Sequence, residues 1–279
     1  MSLPQFTHPD STIPKLPESS TSVVRRPTKF DHFTFEPSSR WVRAIVPGER
    51  TCVVDSRHQL LVWEPNSGIP EYAFPLAHVR NDLLVPTTHP EAAKAYWRPK
   101  AEVTWFDLVL LHTTIPCAAW KYNRPELEDW ISLSWHPATE LAWYEEQEEV
   151  HTHPRDPHIR VDTVPTHRHI QAVMSGSVLA DSADSVALFE TTLPTRFYLS
   201  RADINWDLLE HVHRRTSCPY KGHCEDYWRL KGGDGSLVAW SYAEPMPQLS
   251  SIAGLVAFDS GNVQLLVDGK PFEGPEVWA

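Results

Sequence analysis

The chain has 279 residues, 41% of them hydrophobic, with 12 Trp and a formal net charge of −11. Such a length allows one large domain or two of ordinary size, while the negative balance without a Lys/Arg cluster argues against nucleic acid or an anionic membrane as main partner. No stretch approaches the ~18 apolar residues of a membrane helix, residues 1–20 lack a signal peptide's charged start and apolar core, and four cysteines (Cys52, Cys117, Cys218, Cys224) make no disulfide scaffold, so a soluble, reducing, cytoplasmic setting is expected.

Residues 1–39 are rich in Pro, Ser and Thr and read as an extended N-terminal arm, although Phe30, Phe33 and Phe35 alternate as in a strand. From residue 40 one pattern occurs twice. RWVRAIVPGERTCVVDS (40–56) is answered by RHIQAVMSGSVLADS (168–182), and HQLLVWE by SVALFE. AYWRPK (95–100) matches DYWRLK (226–231), and CAAWKYNRPELEDWISLSW (117–135) matches LVAWSYAEPMPQLSSIAGLVAF (237–258). Each copy closes on a strand, TELAWYEE or NVQLLVDG. A register held over such a length marks two homologous domains, 40–149 and 168–279. The Pro-containing segment between them, 150–167, reads as a linker with solvated histidines His151, His153 and His158.

Within each copy the apolar runs are short, β-branched or aromatic, and bounded by turn residues. Only brief helices fit, over INWDLLEHV and PQLSSIAGLVAF. The fold class expected is mainly β: two tandem, small antiparallel domains with short helices. GGDG (232–235) lies between two strands and reads as a hairpin turn, not a phosphate loop.

The stretch SCPYKGHCEDYW (217–228) permits three readings. Five residues separate Cys218 from Cys224, more than the about two to four of a zinc knuckle. His211, His213 and His223 could add ligands, but the first copy has TTHPEAAKAYW at the matching place and lacks the cysteines, so no structural metal is expected. A nucleophilic Cys218 would need its thiol lowered from about 8.5, and Lys221 could supply the charge. A tight turn holding a buried cysteine satisfies the Pro and Gly equally well.

GSVLADS, ALFE, FYLSRADI, SCPYKG, YW, VAWSYAEPMP, IAGLVAF and VDG, in that order, resemble domain-of-unknown-function family 427, and the first copy resembles it in worn form. The resemblance implies a β-tent-like fold, two antiparallel sheets with a cleft beneath. The family is sometimes labelled a nucleotidyltransferase, yet no Gly-Ser turn with paired aspartates is present to hold a nucleotide and Mg²⁺. HCED makes the segment after Lys221 one residue longer than the family's usual pattern.

Residues shared by both copies should serve the fold: Asp55/Asp181, Ser56/Ser182, Trp97/Trp228, Trp120/Trp240, Tyr122/Tyr242 and Pro125/Pro245. Residues confined to the second copy are candidates for function: Tyr198 (against Ala73), Cys218, Tyr220 and Lys221. Glu190, matched by Glu64, could act as a base if desolvated. The expected function is a cofactor-independent enzyme acting on a small organic molecule, by isomerisation, cyclisation, elimination or hydrolysis. Glu190, Tyr198, Cys218 and Lys221 would be catalytic, and Tyr220, Trp228, Trp240 and Tyr242 would line the site. The alternative is a non-catalytic module binding a small molecule or peptide. A homodimer is compatible with either.

Overall fold

A computed structural model describes residues 31–92, 99–135, 140–191 and 193–272. The chain divides after Asp156 into two compact units. The first contains β1 (Thr34–Ser38), β2 (Val42–Val46), β3 (Thr51–Ser56), β4 (Gln59–Trp63), β5 (Glu71–Pro75), β6 (Leu84–Pro86), β7 (Val103–Val109), β8 (Thr114–Tyr122), β9 (Trp130–Leu133), β10 (Ala142–Glu145) and β11 (Glu148–Val150). The second contains β12 (Val161–Thr166), β13 (Ile170–Met174), β14 (Ser177–Ser182), β15 (Ser185–Glu190), β16 (Arg196–Leu199), β17 (Leu209–Cys218), β18 (Gly222–Leu230), β19 (Leu237–Ser241), β20 (Val256–Phe258), β21 (Gln264–Val267) and β22 (Lys270–Pro271).

In the first unit seven strands form one sheet, β1-β4-β5-β9-β8-β7-β6, and four form another, β11-β10-β2-β3. The second unit repeats both orders, β12-β15-β16-β20-β19-β18-β17 and β22-β21-β13-β14. The fold is therefore mainly β, with two tandem antiparallel domains, and the sequence repeat is a repeat of topology. Strand QLLVW of the larger sheet is buried along its whole length, because that sheet carries apolar side chains on both faces. One face meets the smaller sheet through Val42, Val53, Leu61 and Phe74 in the first unit, and through Ile170, Leu179, Phe197 and Phe258 in the second. The other face carries an aromatic cluster: Phe35, Trp105, Trp120 and Tyr122 in one copy, Tyr198, Cys224, Tyr242 and Leu249 in the other.

The strands overturn several expectations. β1 pairs with β4 from Thr34↔Trp63 to Ser38↔Gln59, and Phe33 and Phe35 are buried. The first domain thus begins inside the segment read as the 1–39 arm, because burying two phenylalanines repays the cost of ordering a strand. Residues 1–30 lie outside the described residues. β12 begins inside the 150–167 linker and pairs with β15. Asp156 is buried, accepting a hydrogen bond from Trp63 Nε1 at 3.0 Å, and burial lowers the pKa of His153. That stretch packs onto the first unit rather than standing in water. The two expected helices shrink to 3-10 turns, Trp206–Leu208 and Pro247–Ile252, since neither run reaches the length at which a helix holds and sheet pairing claims the residues that follow.

Ladder register also corrects one match between the copies. Trp228 lies opposite Ala239, and Phe106 opposite Ala119; each alanine precedes a matched tryptophan, Trp240 or Trp120. The counterpart of Trp228 is therefore Phe106, not Trp97, which lies outside the described residues. The match of Tyr198 with Ala73 is in register: Val186↔Tyr198 and Leu60↔Ala73 hold the same ladder position. Shared polar residues do serve the fold. Trp41 Nε1 donates to Asp55 Oδ1 at 2.7 Å and His169 Nε2 pairs with Asp181 Oδ1 at 2.6 Å, so both aspartates tie down the same strand pair.

Candidate functional site

CPYKG is the turn of the β17–β18 hairpin. Cys218 pairs with Gly222, leaving a loop of Pro219, Tyr220 and Lys221 that closes through Gly222 at φ +97°. Gly suits that left-handed position. A Cβ there would also stand 3.4 Å from both Glu244 O and Met246 N, because the turn lies against the EPMP segment: Met246 N donates to Lys221 O at 3.0 Å and Gly222 bridges Pro245. The family motifs CPYKG and EPMP are thus one substructure, which fixes where Lys221 starts. The register shifts between His213 and Thr216, so the hairpin's irregularity lies in β17 before the turn, and not directly after Lys221.

From that anchor Lys221 Nζ donates to Glu190 Oε2 in a close ion pair, with the side chains only 14% and 8% exposed. Glu190 ends β15, on the same face as Val186 and Leu188 by strand alternation. Val186, Tyr198, Ala257, Trp240 and Tyr227 form one row across that face through successive ladder pairs. Trp240 Nε1 donates to Tyr198 Oη at 3.2 Å, and the Tyr227 hydroxyl contacts Thr216 Oγ1. Burial pushes the Tyr198 and Tyr242 hydroxyls above the ordinary phenol range and that of Tyr227 up to about 12. All three are therefore neutral hydrogen-bonding groups near pH 7.

The expected site residues divide accordingly. Glu190, Lys221, Tyr198, Trp240 and Tyr242 share one face. Cys218 sits at the neck of the hairpin with a partly accessible thiol, close enough to Tyr242 to oppose ionisation of that hydroxyl. Tyr220 is partly buried at the turn's apex. Trp228 does not belong with them. It faces the core between the sheets, tilted against Trp206 at 5.1 Å, because adjacent residues on a strand point to opposite faces and Tyr227 takes the site side. Cys224 is fully buried, its thiol donating to Ser241 O at 3.2 Å and pushed up in pKa by burial, which marks it as a core cysteine. His211 pairs with Asp226 at 3.0 Å and His223 with Ser217 at 2.7 Å. Among the described residues no three His, Cys, Asp or Glu side chains are grouped to hold a metal.

One charged residue on that face escaped the sequence reading. Arg196 lies two residues before Tyr198 on the same face, donates to Ser260 Oγ at 2.7 Å and carries its guanidinium 5.4 Å from the Trp240 ring centre. Its counterpart by register is Glu71, since Leu188↔Arg196 matches Val62↔Glu71. That charge reversal was the available signal.

The first copy uses the same positions differently. Glu64 is buried and accepts from the backbone N–H groups of Lys100 at 2.8 Å and Ala101 at 3.3 Å, where the second copy offers the Lys221 ammonium. Burial, with the nearby Glu64 charge second, raises Glu71 to about 8, and Tyr122 donates to it at 3.1 Å. Phe33 and Phe35 fill the face where Val161 and Thr163 stand in the second copy. Trp120 Nε1, lacking a tyrosine at Ala73, makes no hydrogen bond of ordinary geometry, though it lies near enough to the Tyr122 hydroxyl to influence its ionisation.

A family model described as Domain of unknown function (DUF427) matches residues 34–145 and again residues 162–269. No curated protein matches the chain. With most of its length covered by the two matches, the chain belongs to that family, in two tandem copies.

Proposed function

We propose that, in this two-copy member of the family, the second domain is the working copy and acts on a small organic molecule without a cofactor. Glu190 would exchange a proton with the substrate and Lys221 would hold the carboxylate in place. Tyr198, buried and accepting from Trp240 Nε1, would hold the partly accessible indole of Trp240 in place. The observation that carries this is the buried Glu190–Lys221 pair, built on a CPYKG sequence that only the second copy contains and near enough to the Tyr198–Trp240 hydrogen bond for the Glu190 charge to act on Tyr198. Maintaining two ions away from water is costly, and replacing such a pair by apolar residues is often neutral or stabilising. A pair placed beside aromatic groups that remain partly accessible therefore suits a role in a site better than a role in stability.

A second reading, a binding module without catalysis, is favoured by the three tyrosine hydroxyls held neutral by burial, since none is poised as a base. Native mass spectrometry of the full chain from cell extract tests both. Retained mass lost in Glu190→Gln supports the site. A bound species that emerges chemically converted by the wild type but unchanged by Glu190→Gln supports catalysis, and one that emerges unconverted from both supports binding alone. If wild type and Glu190→Gln retain the same species equally, Glu190 has no role in it.

A further inference from the structure

We infer that the second domain's site takes a carboxylate carried on an apolar body, with Arg196 as the residue that selects for the anion; this rests on the site proposed above. Hydrogen-bonding capacity at the site is one-sided. A lysine ammonium offers three N–H groups and a guanidinium five. Lys221 donates to Glu190, and Arg196 donates to Ser260 Oγ. The other carboxylate in reach of Arg196, Asp259, stands at 4.0 Å and already accepts from Gly261 N at 3.2 Å and Asn262 Nδ2 at 2.9 Å. Each cation therefore has one hydrogen bond to the protein and further N–H groups that no protein acceptor among the described residues takes up, while the side chains of Lys221 and Arg196 are only 14% and 25% exposed, so water has limited access to them. An incoming group that supplies acceptor oxygens takes up those N–H groups. A planar carboxylate fits a guanidinium fork.

The apolar requirement comes from the same row of the sheet. Val186, Tyr227 and Trp240 are partly buried there, not sealed, and the Arg196 guanidinium already lies over the Trp240 ring. The first copy shows the opposite balance. It places Glu71 where Arg196 stands and supplies donors from its own backbone and from Tyr122, so acceptors are answered from within the chain. An anion has no place there.

The test uses the full chain, with benzoate, benzamide and benzylammonium as probes of one shape and three charges. The readout is the Trp240 indole N–H signal in a ¹H–¹⁵N spectrum, assigned by its loss in Trp240→Phe. Benzoate is expected to shift this signal saturably, with benzamide and benzylammonium weaker by about tenfold or more. Arg196→Glu, which copies the first domain, should abolish the benzoate shift, and Arg196→Gln should do the same if the glutamate variant fails to fold. Equal binding of benzoate and benzamide, or benzoate binding that survives both substitutions, overturns the carboxylate inference and leaves the site standing. Preference for benzylammonium has the same consequence. If no probe moves Trp240, the inference and the site it rests on both fall.

Discussion

Removing either member of the Glu190–Lys221 pair should cost far more than removing both. At a contact of about 3 Å and an effective dielectric of about 20, the attraction is roughly 5 kcal/mol, offset by several kcal/mol of desolvation for each ion. The intact pair is thus worth little net. Lys221→Met alone strands a carboxylate whose side chain is only 8% exposed, and stranding a buried charge costs about 3–5 kcal/mol. The 14% exposure of Lys221 lets some water in and favours the lower end. Glu190→Gln alone should cost about as much, whereas the double variant should lie within about 1 kcal/mol of wild type, leaving a coupling energy of about 3 kcal/mol or more. The assay is urea unfolding at fixed pH, followed at the Trp240 indole signal so that the second unit is read by itself, with the slope checked for constancy. If the single variants prove harmless, or their costs simply add, the buried pair is not formed in solution.

Three further outcomes follow from the packing. Phe35→Ala should destabilise the first unit by about 3–4 kcal/mol in denaturant unfolding, and a chain starting at Arg40 should lose the β1 edge altogether; a loss under about 1 kcal/mol would return β1 to a dispensable arm. Glu71→Gln should flatten a pH slope. Raised to about 8 in the folded state from about 4.3 unfolded, Glu71 contributes stability that is complete below about pH 4 and lost as pH rises to about 8. The variant should therefore gain on wild type by about 1–3 kcal/mol at pH 8.5 and by nothing at pH 4, and a constant difference across that range refutes the assignment. Tyr198→Phe should cost about 1–2 kcal/mol by leaving Trp240 Nε1 without its acceptor, and adding Trp240→Phe should cost less than the sum of the two singles.

How much of this was legible in the sequence depended on how locally each feature is encoded. The duplication and the β class were legible because short β-branched or aromatic runs bounded by turn residues recur in order, and topology follows that order strand for strand. The Tyr198/Ala73 contrast was legible because it lies inside well-matched strands. Trp228 was misassigned because the likeness of AYWRPK to DYWRLK is a likeness of composition; only hydrogen-bond register distinguishes Trp97 from Phe106 as its counterpart. Arg196 was missed for a related reason. A lone arginine at a strand start carries no motif, and its meaning comes from Trp240 and Ser260, about 44 and 64 positions away. The edge strands β1 and β12 were read as arm and linker because prolines (Pro37, Pro165) interrupt them. Proline is tolerated on a sheet edge, where one side of the strand needs no donor.

On the proposed reading, the two copies also show how a β domain can dispense with a site and keep its fold. At two places the first copy answers from within the chain what the second leaves to a charged or smaller side chain. The Lys221 ammonium gives way to two backbone N–H groups on Glu64, and Val161 and Thr163 give way to Phe33 and Phe35. Each exchange closes a place where an unmet polar group or an exposed aromatic would otherwise cost stability. One exchange is incomplete: Ala73 leaves both Trp120 Nε1 and, directly across the ladder, Ser132 Oγ buried without a bond. A copy kept only for stability would gain by making both positions apolar. The Trp120 indole lies instead beside the Tyr122 hydroxyl, whereas Trp240 Nε1 meets Tyr198 Oη at 3.2 Å, so one tyrosine decides whether this indole has an acceptor of good geometry.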